Sequence, residues 1–168
     1  GFTRLPAIGA DEALRFLAPR KGFLDAVVIT GGEPTLHAWL PDFIRRVRSA
    51  GFLVGLDTNG TNPRMVETLL SNGDLDRIAA DYKAPRGCYS SVTKAAPAAG
   101  DVVFETMVLL ARLAGEYEVR LTLHPALQSE DDIGAMACEL RDAGVRKIAL
   151  QQFKPWDTLD QSLDGNNL

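Results

Sequence analysis

Apolar residues gather in five short runs along the chain: Ala26–Thr30, Phe52–Leu56, Arg77–Ala80, Glu118–Leu123 and Lys147–Leu150. Each is bounded by turn or helix-starting residues, which predicts β-strands. Several are apolar throughout instead of alternating, as in Ala26-Val27-Val28-Ile29 and Phe52-Leu53-Val54. That pattern suits parallel strands covered on both faces.

Helical spacing fills the gaps. Leu40-Pro41 opens a helix with Phe43, Ile44 and Val47 inward and Gly51 at its end, and Asn62-Pro63 opens a second carrying Met65, Val66, Leu69 and Leu70 before Gly73. Asp101 precedes a third, with Phe104, Met107, Leu110 and Ala111, ending by Gly115. Ser129 and Asp132 form a capping box ahead of Ile133, Met136, Ala137 and Leu140, which Gly144 closes. A short helix over Asp11–Ala18 is halted by Pro19, and Ala84–Gly100 reads as one long loop. The order is a helix, four strand–helix units, then a last strand. Connections of this length predict an α/β fold with a parallel sheet of about five strands, either a partial TIM-like (β/α) barrel or a doubly wound sheet. Residues 1–153 read as one domain and 154–168 as a polar C-terminal tail.

In parallel α/β folds the residues following the strands converge on one rim, where sites form. Thr30-Gly31-Gly32-Glu33-Pro34 follows the first strand, Asp57-Thr58-Asn59-Gly60 the second, Asp81-Tyr82-Lys83 the third, His124-Pro125 the fourth and Gln151-Gln152 the fifth. Gly31-Gly32 lets backbone approach a ligand closely, although the same pair serves as a plain tight turn. Glu33 can receive a ligand ammonium. Asp57 and Thr58 offer oxygens to a ribose hydroxyl, an ammonium or a small hard cation, while Asp-x-Asn-Gly is also a common turn. Asp81 and Lys83 share a strand face, where they pair with each other or meet one zwitterionic ligand. His124 is a base, a ligand contact or a structural residue before Pro125. His37 and the charges Arg45, Arg46 and Arg48 read as surface.

Composition adds exclusions more than assignments. The 168 residues are 46% hydrophobic and 24% charged, average for a globular domain. A net charge of −4 argues against a phosphate-backbone binder, so nucleic acid is not an expected partner. No apolar run reaches membrane-spanning length, and Asp11 and Glu12 interrupt any signal-peptide pattern, so the expected location is cytoplasmic, without a membrane partner. Cys88 and Cys138 form no metal-ligand spacing; Cys138, beside Met136 and Leu140, reads as a buried helix residue. Gly1 is not an initiator methionine, and the chain reads as a fragment.

Val28-Ile29-Thr30-Gly31-Gly32-Glu33-Pro34 resembles the Gly-Gly-Glu-Pro turn of the radical S-adenosylmethionine superfamily. Leu56-Asp57-Thr58-Asn59-Gly60, Asp81-Tyr82-Lys83-Ala84-Pro85 and Leu150-Gln151-Gln152-Phe153 extend the likeness to the activating proteins of anaerobic ribonucleoside-triphosphate reductase, with pyruvate formate-lyase activating enzyme as a cousin. The resemblance implies a six-stranded partial barrel, a four-iron four-sulfur cluster, and reductive cleavage of S-adenosylmethionine to a radical that takes hydrogen from a glycine of a partner enzyme. The implied partners are the large subunit of anaerobic ribonucleotide reductase and an electron donor such as flavodoxin or ferredoxin. By the same resemblance Gly31, Gly32 and Glu33, supported by Thr30, hold the methionine amino end. Asp57 and Thr58, with neighbouring Asn59, contact the ligand and help hold a monovalent cation. Asp81 and Lys83 form the second charged cluster, with Lys83 meeting the carboxylate, and His124 ends the matching strand. The family holds its cluster through Cys-x3-Cys-x2-Cys, a spacing this chain lacks. No metal ligand is therefore assigned; the missing segment is expected upstream, and the chain alone is not expected to perform the reaction. A cluster-less module that binds the cosubstrate or a partner, and a related enzyme acting on a small molecule or peptide, are the alternatives.

Overall fold

The computed structural model describes residues 8–153. The expected tail, Trp156 included, lies outside them. The strands are β1 (Ala26–Ile29), β2 (Leu53–Thr58), β3 (Arg77–Asp81), β4 (Tyr117–Leu123) and β5 (Ile148–Gln152). The helices are α1 (Ala10–Leu17), α2 (Leu40–Ser49), α3 (Pro63–Ser71), α4 (Tyr89–Thr93), α5 (Ala99–Leu113) and α6 (Glu130–Asp142). All four strand pairings are parallel and the sheet order is β1-β2-β3-β4-β5. A doubly wound sheet would reverse order at a switch point; this one never does, which decides for the partial barrel.

Strand alternation sorts the residues. Val54, Leu56, Ile78, Ala80, Val119 and Leu121 are buried, in one core with Ile44 and Val47 of α2, Val66 and Leu69 of α3, Met107 and Leu110 of α5, and Met136 and Leu140 of α6. The intervening strand residues face the other way and are largely polar: Asp57, Arg77, Asp81, Glu118, Arg120 and Thr122. The helix boundaries follow their caps. Asn62 accepts the Met65 N–H, and the reciprocal Ser129–Asp132 capping box opens α6.

Four readings of the sequence are corrected. The strands are not all covered on both faces: Val28 of β1 and Leu150 of β5, the first and last strands among the described residues, are 51% and 67% exposed; in β2, Leu53 is exposed as well. The segment Ala84–Gly100 is not structureless: a 3-10 turn at Arg86–Cys88 runs into α4, and α5 begins at Ala99, which puts Asp101 in its first turn instead of ahead of it. Cys138 is exposed, and so is Ala137: on α6 the buried row is Met136 and Leu140, one helical turn apart, and Ala137 and Cys138 between them turn outward. Finally, α1 ends at Leu17, one residue before the expected Ala18, and the chain tightens into a 3-10 turn over Ala18–Arg20 that contains Pro19.

Candidate functional site

At the C-terminal ends of β1–β4, Thr30, Gly31, Gly32, Asp57, Thr58, Asn59, Asp81, Lys83 and Arg120 line a polar cleft of about 140 Å³. Gly31 and Gly32 have φ of 95° and 48°, left-handed conformations that cost a side-chain-bearing residue about 1–2 kcal/mol. A Cβ at either would meet nothing within 4 Å. These glycines are thus required by conformation, and they leave main chain open at the cleft.

Glu33 is 8% exposed and lies behind this wall instead of in it. Its Oε1 accepts from the Thr35 N–H at 3.0 Å, the Thr35 hydroxyl at 2.5 Å and the Thr58 hydroxyl at 2.7 Å; its Oε2 accepts from the Asn59 N–H at 2.6 Å. The Asn62 amide adds a bond to the Thr35 carbonyl at 2.7 Å. One carboxylate therefore rivets the turn after β1 to the turn after β2. Behind that joint, the Thr106 hydroxyl on α5 donates to the Gly60 carbonyl at 2.7 Å.

The centre of the cleft is a guanidinium between two carboxylates. Arg120 Nη1 donates to Asp57 Oδ2 at 2.9 Å and its Nε to Asp81 Oδ1 at 3.0 Å, while Lys83 Nζ lies 3.4 Å from Asp81 Oδ2. The register sets Asp81 level with Arg120 on the next strand, while Asp57 stands level with Ala79, two residues short of Asp81, and the long Arg120 side chain spans the offset. Partial burial works against the Arg120 charge, but the Asp57 hydrogen bond and the charge of Asp81 outweigh it and hold its pKa above the ordinary value. Asp57 Oδ1 is buried without a hydrogen-bond partner among the described residues, an arrangement costing about 1–3 kcal/mol unless a donor or cation meets it. Two anions and two cations make the cleft a receptor for a ligand bearing both signs of charge.

Eight predicted residues are thus brought together: Thr30, Gly31, Gly32, Asp57, Thr58, Asn59, Asp81 and Lys83. His124 is not among them. It is buried, its Nδ1 accepts from the Ala126 N–H at 3.1 Å, and its ring meets Phe153 edge-on at 4.9 Å. It lines, with Gln151, Gln152, Leu123 and Leu150, a separate and largely apolar groove of about 520 Å³ at the β4–β5 end. Arg120 is the residue that sequence reading passed over. Its signal was the alternation Glu118, Arg120, Thr122, which puts these three on the face opposite Val119 and Leu121.

The donors of a cysteine-held cluster are not here. The chain's two cysteines are both exposed, Cys88 in the turn before α4 and Cys138 on α6, and no group of three or more metal-ligating side chains occurs among the described residues. A four-iron cluster, which takes its protein ligands as thiolates, does not fit these residues.

Comparison with known proteins places the architecture. A Methanocaldococcus jannaschii protein bearing the name of a glycyl-radical enzyme activating enzyme is 33% identical over 143 residues; the match covers 83% of this chain and 59% of that protein's length. Among solved structures, a domain of pyruvate-formate lyase-activating enzyme from Bacteroides vulgatus superposes with TM-score 0.53 at 16% identity, over 74% of this chain and 98% of that one. Streptococcus suis SuiB, solved bound to S-adenosylmethionine, superposes with TM-score 0.69 at 15% identity, over 95% of this chain and 37% of that one. At such identities the structures speak for the partial-barrel fold alone. The profile of the Radical SAM superfamily, however, matches residues 6–131, a stretch that runs from α1 through the four strands whose ends build the cleft, and on that match the chain belongs to the radical SAM superfamily.

Proposed function

We propose that the cleft holds the amino-acid end of S-adenosylmethionine, and that the parent protein is an activating enzyme that installs a glycyl radical on the large subunit of anaerobic ribonucleotide reductase. One observation carries the first part: a mixed-charge cleft whose walls are two left-handed glycines and an Asp57–Arg120–Asp81–Lys83 row, with one buried acceptor left over. The open main chain at Gly31 and Gly32 meets the ammonium, Lys83 meets the carboxylate, and Asp57 with Thr58 and Asn59 lines the side between them. Glu33 serves the ammonium indirectly, by holding the turn in place. Asp57 Oδ1 is the atom at which a ligand donor or a monovalent cation would settle. His124, in its neighbouring groove, is proposed as a rim residue facing the partner and not the cosubstrate.

Bound in this way, S-adenosylmethionine supplies, on one-electron reduction, a carbon radical able to take hydrogen from a backbone glycine. This chain's residues bind and orient it. The thiolates for a cluster would come from outside these 168 residues, and the electron from a donor such as flavodoxin or ferredoxin; alone, the chain is proposed to bind without cleaving. Residues 1–153 form the domain in this reading, with 154–168 as its tail, and a cytoplasmic location accords with it. Support for an activating enzyme comes from the archaeal relative, 59% of whose length the match spans.

The test is electron paramagnetic resonance on the reductase large subunit, incubated anaerobically with the parent protein, S-adenosylmethionine and reduced flavodoxin. A glycyl radical signal that needs all three is the expected result. Cleavage of the cosubstrate with no radical on this subunit would redirect the reading to another substrate. Binding by a parent protein that has no cluster cysteines at all would favour a non-catalytic module, the reading that the two scattered, exposed cysteines of this chain support.

A further inference from the structure

We propose that Glu139 on α6, acting through Tyr82 and the Arg86 main chain, is a positioning residue for Lys83. One carboxylate pins both ends of the segment that presents the Lys83 ammonium to the cleft. The proposal rests on the reading of Lys83 as the partner of the ligand's carboxylate.

Asp81 and Lys83 take one face at the end of β3, so Tyr82 between them takes the other, and it is fully buried. Its hydroxyl donates to Glu139 Oε2 at 2.6 Å. Four residues on, the Arg86 N–H donates to both oxygens of the same carboxylate at 3.2 Å. Only Lys83, Ala84 and Pro85 lie between these anchors, and Ala84 and Pro85 are buried. A third tie holds the middle: Gln128 Nε2 donates to the Lys83 carbonyl at 2.8 Å, while Gln128 Oε1 accepts from the His124 N–H at 2.9 Å. Beyond the outer anchor, the Arg86 guanidinium lies 4.5 Å above the Phe104 ring and pairs with Asp101, and the Arg86 carbonyl packs so closely on α5 that a Cβ at Gly100 would come within 2.3 Å of it. The Lys83 main chain is therefore held from several directions. Its side chain, 42% exposed, touches only Asp81 among the ionic partners in the described residues.

Packing alone would be served by phenylalanine at position 82, which fills the same space. The hydroxyl is instead buried and aimed at a carboxylate on another element; burial, with the Glu139 hydrogen bond, pushes its pKa well above the ordinary tyrosine value. A directed bond to an acceptor that also holds Arg86 fixes distance as well as filling volume.

The test is a double-mutant cycle on the full chain, reading S-adenosylmethionine affinity by calorimetry, with thermal melting as the control for folding. Lys83→Met is expected to weaken binding about tenfold and Tyr82→Phe about fivefold, whereas the double variant binds no worse than Lys83→Met alone, because both losses run through the same ammonium. A purely structural tyrosine would add its full effect in the Lys83→Met background, or leave affinity unchanged while lowering the melting temperature; either result overturns the proposal. Should Tyr82→Phe not fold, Glu139→Gln runs the same cycle, since it keeps the shape and weakens both anchors. If Lys83→Met alone leaves affinity unchanged, or the chain binds no S-adenosylmethionine, then the reading of Lys83 itself fails, a result distinct from loss of coupling.

Discussion

Glu33 and Arg120 carry the site in opposite ways. Glu33 is surrounded by donors, so Glu33→Gln replaces one accepting oxygen with an NH2 group facing an N–H or hydroxyl donor that it cannot satisfy. The expected loss is about 2–3 kcal/mol, read as a fall in denaturant midpoint at unchanged slope. Arg120→Met leaves Asp57 and Asp81 without their shared counterion. For a fully buried pair the loss would be about 3–5 kcal/mol, and partial solvent access reduces it here to about 2 kcal/mol. Chemical denaturation measures that as well. Sequence reading named Glu33 for its place after two glycines, but its partners Thr58 and Asn59 stand 25 and 26 residues away, and only folding brings them together. Arg120 was legible through its strand period. It was hidden by treating the β4 run as an apolar strand before asking which face each residue takes.

Among the elements, α6 has the most explicit instructions. Ser129 and Asp132 cap it reciprocally, and the Ser129 N–H and hydroxyl hold the Asp132 carboxyl below its ordinary value of 3.8. The folded-state value is depressed, so this contribution is fully present above the ordinary value and disappears as pH falls through the lowered one. Ser129→Ala should cost about 1 kcal/mol at neutral pH, with the difference from wild type narrowing in acid; melting curves across pH read both. Gly100→Ala tests the other packed joint. Its Cβ would meet the Arg86 carbonyl at 2.3 Å, so α5 or the Lys83 segment must shift, and S-adenosylmethionine affinity should fall together with melting temperature. Cap and turn residues made the helix ends readable to within a residue or two, except the start of α5, which comes earlier than Asp101 suggested. The pieces inside Ala84–Gly100 were not readable, because a single turn such as α4 has too few residues to show a period.

At the scale of the whole molecule, consecutive strand order and a polar inner face follow from one pattern: helices on the core side, charges on the other. The class of fold was legible because four strand–helix units in succession leave few topologies. The open faces were not, since an apolar strand looks the same in sequence whether or not other elements cover it. Val28 and Leu150 leave apolar surface on the first and last strands among the described residues, so replacing both with lysine should lower self-association, measured by light scattering, while changing stability by no more than about 1 kcal/mol. No helix among the described residues is long and apolar enough to cross a membrane.

The cleft is proposed to recognise the amino-acid end of S-adenosylmethionine. Calorimetric titration of the full chain with S-adenosylhomocysteine and with 5′-methylthioadenosine, two thioethers that share the nucleoside and of which only the first carries the ammonium and carboxylate, is the direct test. At least about tenfold weaker binding of the truncated ligand is expected, the equivalent of one charge-assisted hydrogen bond. Equal affinity for the two, or no binding of either, would contradict it.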